Sequence, residues 1–97
     1  MSNTVQQRPL FILGQIYLTP GAETALEDAD LSPFDLIARH VHGDWGELPP
    51  EDIQANENAL VQGLRLLSRY TTSKGAALYV ITEYDRSATT ILLPQEY

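Results

Sequence analysis

From Leu10 to Leu18 the chain reads Leu-Phe-Ile-Leu-Gly-Gln-Ile-Tyr-Leu, almost continuously apolar between Pro9 and Thr19-Pro20-Gly21. A run of this kind predicts a strand that is central in its sheet or covered on both faces. Gly14, in its middle, marks a bulge or a close approach by another backbone. Thr19-Pro20 then supplies an N-cap and a first-turn proline, and Ala22, Ala25, Leu26 and Ala29 recur at helical spacing. Ser32-Pro33-Phe34-Asp35 repeats the start signal ahead of a second helix with the stripe Phe34, Ile37, Ala38 and Val41, stopped by Gly43. A third helix is expected from Pro49 or Pro50, with Glu51 and Asp52 in its first turn, through Ile53, Ala59, Leu60 and Val61 to Gly63; its Asn56 and Asn58 face is polar.

At Leu64 the period changes to two. Leu64, Leu66, Ser68 and Tyr70 alternate with Arg65, Leu67 and Arg69, so a strand follows the helices. Turns at Ser73-Lys74-Gly75 and Asp85-Arg86-Ser87 separate two more strands, one alternating through Leu78, Val80, Thr82 and Tyr84 and one running from Thr89 to Leu93 before Pro94. Helices in one block and consecutive strands in another predict an α+β domain, β-α-α-α-β-β-β, with an antiparallel sheet of about four strands and the helices packed on one face. Residues 1–8 carry no apolar period and read as a mobile tail, leaving 9–97 as a single domain.

Composition narrows the class. Of 97 residues 43% are hydrophobic and 20% charged, ordinary for one small globular domain. No apolar run approaches the ~18 residues of a membrane-spanning helix, so no membrane contact is expected. The first eight residues lack the apolar stretch of a secretory signal, and the expected address is cytoplasmic. With 13 acids against 6 bases the net charge is −7, which disfavours direct tracking of nucleic-acid phosphates. The absence of cysteine excludes disulfides, thiolate nucleophiles and thiolate metal sites.

Two constellations have the residue types that chemistry needs. His40-Val41-His42-Gly43-Asp44 has a spacing found in metal sites, because alternate residues of an extended segment point the same way. On a helix reaching Val41, however, His40 and His42 lie about 200° apart and share no ion; they then serve as helix-end histidines, and no metal is expected. Glu83, Asp85 and Arg86 place two carboxylates beside a cation, which suits acid/base work on an anionic substrate or simply a polar hairpin with Arg86 neutralising an acid. The familiar catalytic and phosphate-binding motifs are absent, and no cofactor is implied.

The asymmetry of charge is clearer. Ten acids lie between Gly21 and Asn58, offset only by Arg39, and the other five bases lie outside that interval. Such a layer is either solvated or faces a basic partner surface. Within it, Gly43-Asp44-Trp45-Gly46 forms a loop with backbone freedom. Trp45 there either folds back onto Val41 and Leu48 to cap the core or stands out as a contact anchor.

Read together, Gly43-Asp44-Trp45-Gly46, Glu51-Asp52, Ala55-Asn56, Leu66-Leu67-Ser68-Arg69-Tyr70 and the closing stretch from Ile81 to Tyr97 resemble an uncharacterised family of short bacterial proteins encoded on plasmids and other mobile elements. The resemblance implies an accessory of mobile-element biology and no catalytic residue. The leading expectation is a small acidic non-enzymatic protein that binds another protein, with Asp44, Trp45, Glu83, Asp85 and Arg86 as candidate contacts. A DNA mimic directed at a host defence protein is a narrower form of it. The rival is a small hydrolase or transferase using Glu83, Asp85 and Arg86 with His40. The uncharged run Ile91-Leu92-Leu93 also needs cover at a sheet edge: either Leu10 to Leu18 pairs with it, or two chains meet there as a homodimer.

Overall fold

A computed structural model describes residues 8–97. The tail expected over residues 1–8 therefore falls, but for Arg8, outside the described residues. The elements are β1 (Gln15–Leu18), α1 (Pro20–Asp28), α2 (Pro33–Val41), α3 (Pro50–Gln62), β2 (Leu66–Thr71), β3 (Ala77–Thr82), β4 (Ala88–Leu92) and a closing 3-10 turn (Pro94–Glu96). Thr19 and Ser32 cap α1 and α2 through their side chains, and Gly63 ends α3 in the left-handed conformation, as the start and stop signals predict.

The domain is α+β, with a four-stranded sheet in the order β1-β4-β3-β2. It is mixed rather than antiparallel, because β1 runs parallel to β4. Alternation of side chains carries no strand direction, and the sense of β1 is decided by the three-helix crossover that brings the chain back before β2. β1 does pair with the last strand, Leu18 lying opposite Ile91.

Leu66, Ser68 and Tyr70 of β2, Leu78, Val80 and Thr82 of β3, and Thr89 and Ile91 of β4 are buried on one face. Against that face pack Ala22 and Leu26 of α1 and Leu36 and Ile37 of α2, while Ala59 of α3 and Trp45 close over Leu66. Two stripes differ from expectation. Phe34 is 68% exposed, and α2 turns Leu36, Ile37, His40 and Val41 inward. In α3 Val61 is exposed, and the buried pair is Asn56 and Ala59.

The largest departure is at the beginning. Only residues 15–18 of the apolar run form strand, and all four are exposed. Gly14 has φ +67, and a Cβ there would lie 2.3 Å from the Ser87 backbone, the close approach that its glycine signals. Leu10 donates its amide to the Val41 carbonyl. Phe11 stacks on Trp45 at a 6.3 Å ring separation and meets His40 edge-on at 5.2 Å. The run therefore divides in two: in its first half Phe11 and Leu13 pack against the core while Leu10 and Ile12 stay exposed, and its second half forms a sheet edge.

Glu96 closes the fold from the other terminus. Its carboxylate accepts from the Thr19 hydroxyl at 2.6 Å, the Gly21 amide and the Leu93 amide. The Thr19 bond, first among these, holds that carboxyl below the ordinary range, and an acid at a helix N-terminus complements the dipole of α1.

Candidate functional site

His40, at the end of α2, is fully buried beneath the helix-facing side of the sheet. Its Nδ1 lies 2.6 Å from the Ser68 hydroxyl and its Nε2 2.9 Å from that of Thr82. Thr82 and Thr89 share a 2.7 Å bond, and Thr89 donates to the Leu13 carbonyl. A carbonyl only accepts and each hydroxyl has one proton, so the direction of the whole chain follows. Thr82 donates to Thr89, His40 donates from Nε2 to Thr82, and Ser68 donates to Nδ1. The imidazole is neutral: burial, reinforced by the charge of Arg86, pushes it down to about 3. Ser68, Thr82 and Thr89 are likewise sealed from solvent, so this serine–histidine pair meets no substrate; it ties α2, β2, β3, β4 and the Leu13 segment together.

His42 instead donates from Nδ1 to the Ala38 carbonyl at 2.7 Å on the surface. Asp44 is engaged by Arg39, whose Nε and Nη2 donate to its two oxygens at 2.7 and 3.3 Å. The arginine bond, followed by the Gly46 amide, keeps the Asp44 carboxyl below its usual range. His40, His42 and Asp44 thus diverge. Among the described residues no group of three or more histidine, cysteine or carboxylate side chains is placed to hold a metal ion.

Trp45 is 4% exposed. Its ring packs with Phe11, Leu48, Ala59, Leu60 and Leu66, and its Nε1 donates to Glu57 at 2.9 Å. The tryptophan caps the core, and a partner meets none of its apolar face. The loop around it is also held. Gly46 bridges to Arg69 at φ +76, where a Cβ would collide with the Arg69 carbonyl.

Arg86 departs furthest from the reading of a charge-neutralising hairpin. Its guanidinium donates to four backbone carbonyls: Leu64 at 2.6 Å, Glu83 at 3.0 Å, and Tyr84 and Ala59 at 3.2 Å. It is a clamp between the β3–β4 turn and the carbonyl end of α3, where a cation complements the dipole. Asp85 accepts from the hydroxyl and amide of Ser87, which lower its carboxyl. Glu83 lies exposed on the same turn, while His40 is enclosed. With His40 fully buried and Glu83 exposed, the four do not converge on one open site among the described residues.

What sequence reasoning missed lies at the other end of the sheet. A surface cleft of about 550 Å³ opens between the tip of β1 and the helices, with Leu18, Leu26, Leu31 and Pro33 as its apolar lining. Glu23, Glu27, Asp30 and Asp35 ring it, and no described base forms an ion pair with any of the four. The signal was present: Glu27, Asp28 and Asp30 crowd the carbonyl end of α1, which has no base in its last turn, against the preference of the dipole. Asp30 also sits at φ +51 in a complete Schellman turn, its amide bonding Glu27 and that of Leu31 bonding Leu26, a position where glycine is the usual residue.

Compared with known proteins, the chain matches no family model, no curated protein and no solved structure. No helix among the described residues is long and apolar enough to cross a membrane.

Proposed function

We propose that the chain is a non-catalytic protein-binding module that meets a basic partner surface through its acidic helices. The observation supporting this reading is how the chemistry-bearing side chains are used. His40 is consumed by a sealed hydroxyl chain, Arg86 by backbone carbonyls and Asp44 by Arg39, whereas Glu23, Glu27, Asp30 and Asp35 ring an open cleft without a cation. Unpaired surface acids around an apolar floor favour charge-complementary association, which accelerates encounter and selects partners. Trp45 of the Gly43 to Gly46 loop faces the core, so the reading rests on the acidic helices rather than on that side chain. An accessory role in a mobile element is the setting proposed, and it rests on the resemblance alone.

The test is capture by the tagged chain at low and at moderate salt, beside a variant with Glu23→Gln, Glu27→Gln and Asp35→Asn. A specific partner that weakens with salt and is lost in the variant is the expected result. Recovery of no specific partner, or equal recovery by the variant, overturns the reading.

A further inference from the structure

The acidic cleft adjoins an unfinished sheet edge. Gln15 donates its amide to Ser87 and Thr19 donates its amide to Ile91, so every second residue of β1 faces β4. Strand alternation then turns the N–H and C=O groups of the intervening Ile16 and Leu18 outward, and no described residue bonds them. Tyr17 is 55% exposed, and Ile16 and Leu18 are each 38% exposed. This strand has the composition of a covered one without the cover, and it carries no charge, proline or bulge to deter pairing. Leu18 belongs to both features, the open edge and the acidic cleft.

We infer that β1 is completed by an extended segment of a partner protein that carries lysine or arginine at alternate positions. This deepens the binding-module reading and rests on it. The segment adds a fifth strand beside Ile16 and Leu18, and its helix-side basic residues enter the cleft between Glu23, Glu27, Asp30 and Asp35. Backbone bonds to the two outward residues supply affinity, and side chains at every second position supply selection. Charge chooses this occupant over a second copy of the chain, which would bring a further net charge of −7 to a rim that lacks cations.

The experiment uses the whole chain and three labelled octapeptides: alternating lysine and valine, alternating glutamate and valine, and the lysine peptide with its central valine replaced by proline. Fluorescence anisotropy reads binding, and amide exchange reads its place. The lysine–valine peptide is expected to bind, more weakly as salt rises, with the other two at least about tenfold weaker. The Ile16 and Leu18 amides, fast to exchange in the free chain, become protected on binding. Asp30→Gly with Glu27→Gln, changes that relieve rather than strain α1, weakens binding about tenfold. Ile16→Pro, with folding checked by its melting temperature, abolishes binding by removing an outward donor. Binding with protection confined to other elements overturns the edge assignment and leaves the binding-module reading standing. Absence of binding overturns it as well, as does concentration-dependent self-association that protects Ile16 and Leu18.

Discussion

The two edges of the sheet are treated in opposite ways. On β2, Leu67 and Arg69 turn their backbone groups outward, and each is answered. Asn56 of α3 accepts from the Leu67 amide at 3.1 Å and donates to its carbonyl at 2.6 Å. Arg69 donates its amide to the Trp45 carbonyl and accepts from the Glu47 amide at 2.7 Å. Thr71 adds a hydroxyl bond to Glu47. On β1 the equivalent groups of Ile16 and Leu18 meet nothing among the described residues. An unpaired edge is a template for another strand, so the chain spends a helix and a loop on sealing one edge while leaving the other beside its acidic cleft. The difference singles out β1 as the edge left open for the strand addition proposed above.

The largest expected effect comes from breaking the sealed side. Trp45→Ala empties the site over Leu66 and loosens the loop that covers Arg69, and should cost about 3–5 kcal/mol. Chemical denaturation measures it; an unchanged stability would return Trp45 to the surface. Asn56→Ala leaves the half-buried amide and carbonyl of Leu67 without their side-chain partner and should cost about 1–3 kcal/mol, with a new tendency to associate through β2 seen by light scattering. If stability and solubility are both unaffected, Asn56 does not seal the edge.

Acid tests the core between the edges. The His40 imidazole is held at about 3 in the folded chain, below its unfolded value near 6.5, so the unfolded state takes up the proton first. Its contribution is fully present above about pH 6.5 and is lost progressively as pH falls toward 3, reaching about 2 kcal/mol at pH 5. Denaturation curves at pH 7 and pH 5 should show that loss. His40→Gln should be less stable at pH 7 and lose most of the slope; an equally steep fall in the variant would assign it to other groups.

The smallest effect belongs to the open side. Asp30→Gly removes an acid from the carbonyl end of α1 and a side chain from φ +51, and should raise stability by about 0.5–1 kcal/mol. A gain there, together with weaker peptide binding, would mark Asp30 as a residue kept at the expense of stability. A loss would mean that its carboxylate supports the fold instead.

Much of the local structure was legible in the chain. Thr19-Pro20, Ser32-Pro33 and Gly63 act as caps and stops because their physics is confined to a turn of helix. The alternation of Leu66, Ser68 and Tyr70 names the buried face of β2. The site was less legible. Arg86 follows two acids, Glu83 and Asp85, in sequence yet donates to carbonyls, because the chain at the end of α3 arrives beside it from 22 or more residues away. His40 reads as a surface helix end, and only the assembled sheet supplies Ser68, Thr82 and Thr89 around it. The charge asymmetry was visible in the sequence, but its concentration around a cleft was not, since Leu18 and Asp35 meet only when α1 and α2 have folded back along β1.

The sequence alone determined the α+β class, the helix starts and stops and the net negative charge, since these depend on residue type and near neighbours; at Gly14 it left a bulge and a close approach both open. The tertiary structure decided the direction of β1, the inward turn of Trp45, the hydroxyl chain through His40 and which edge stays open. Each of these depends on what distant segments place opposite a group, and a backbone N–H carries no mark in sequence to show whether a partner will reach it.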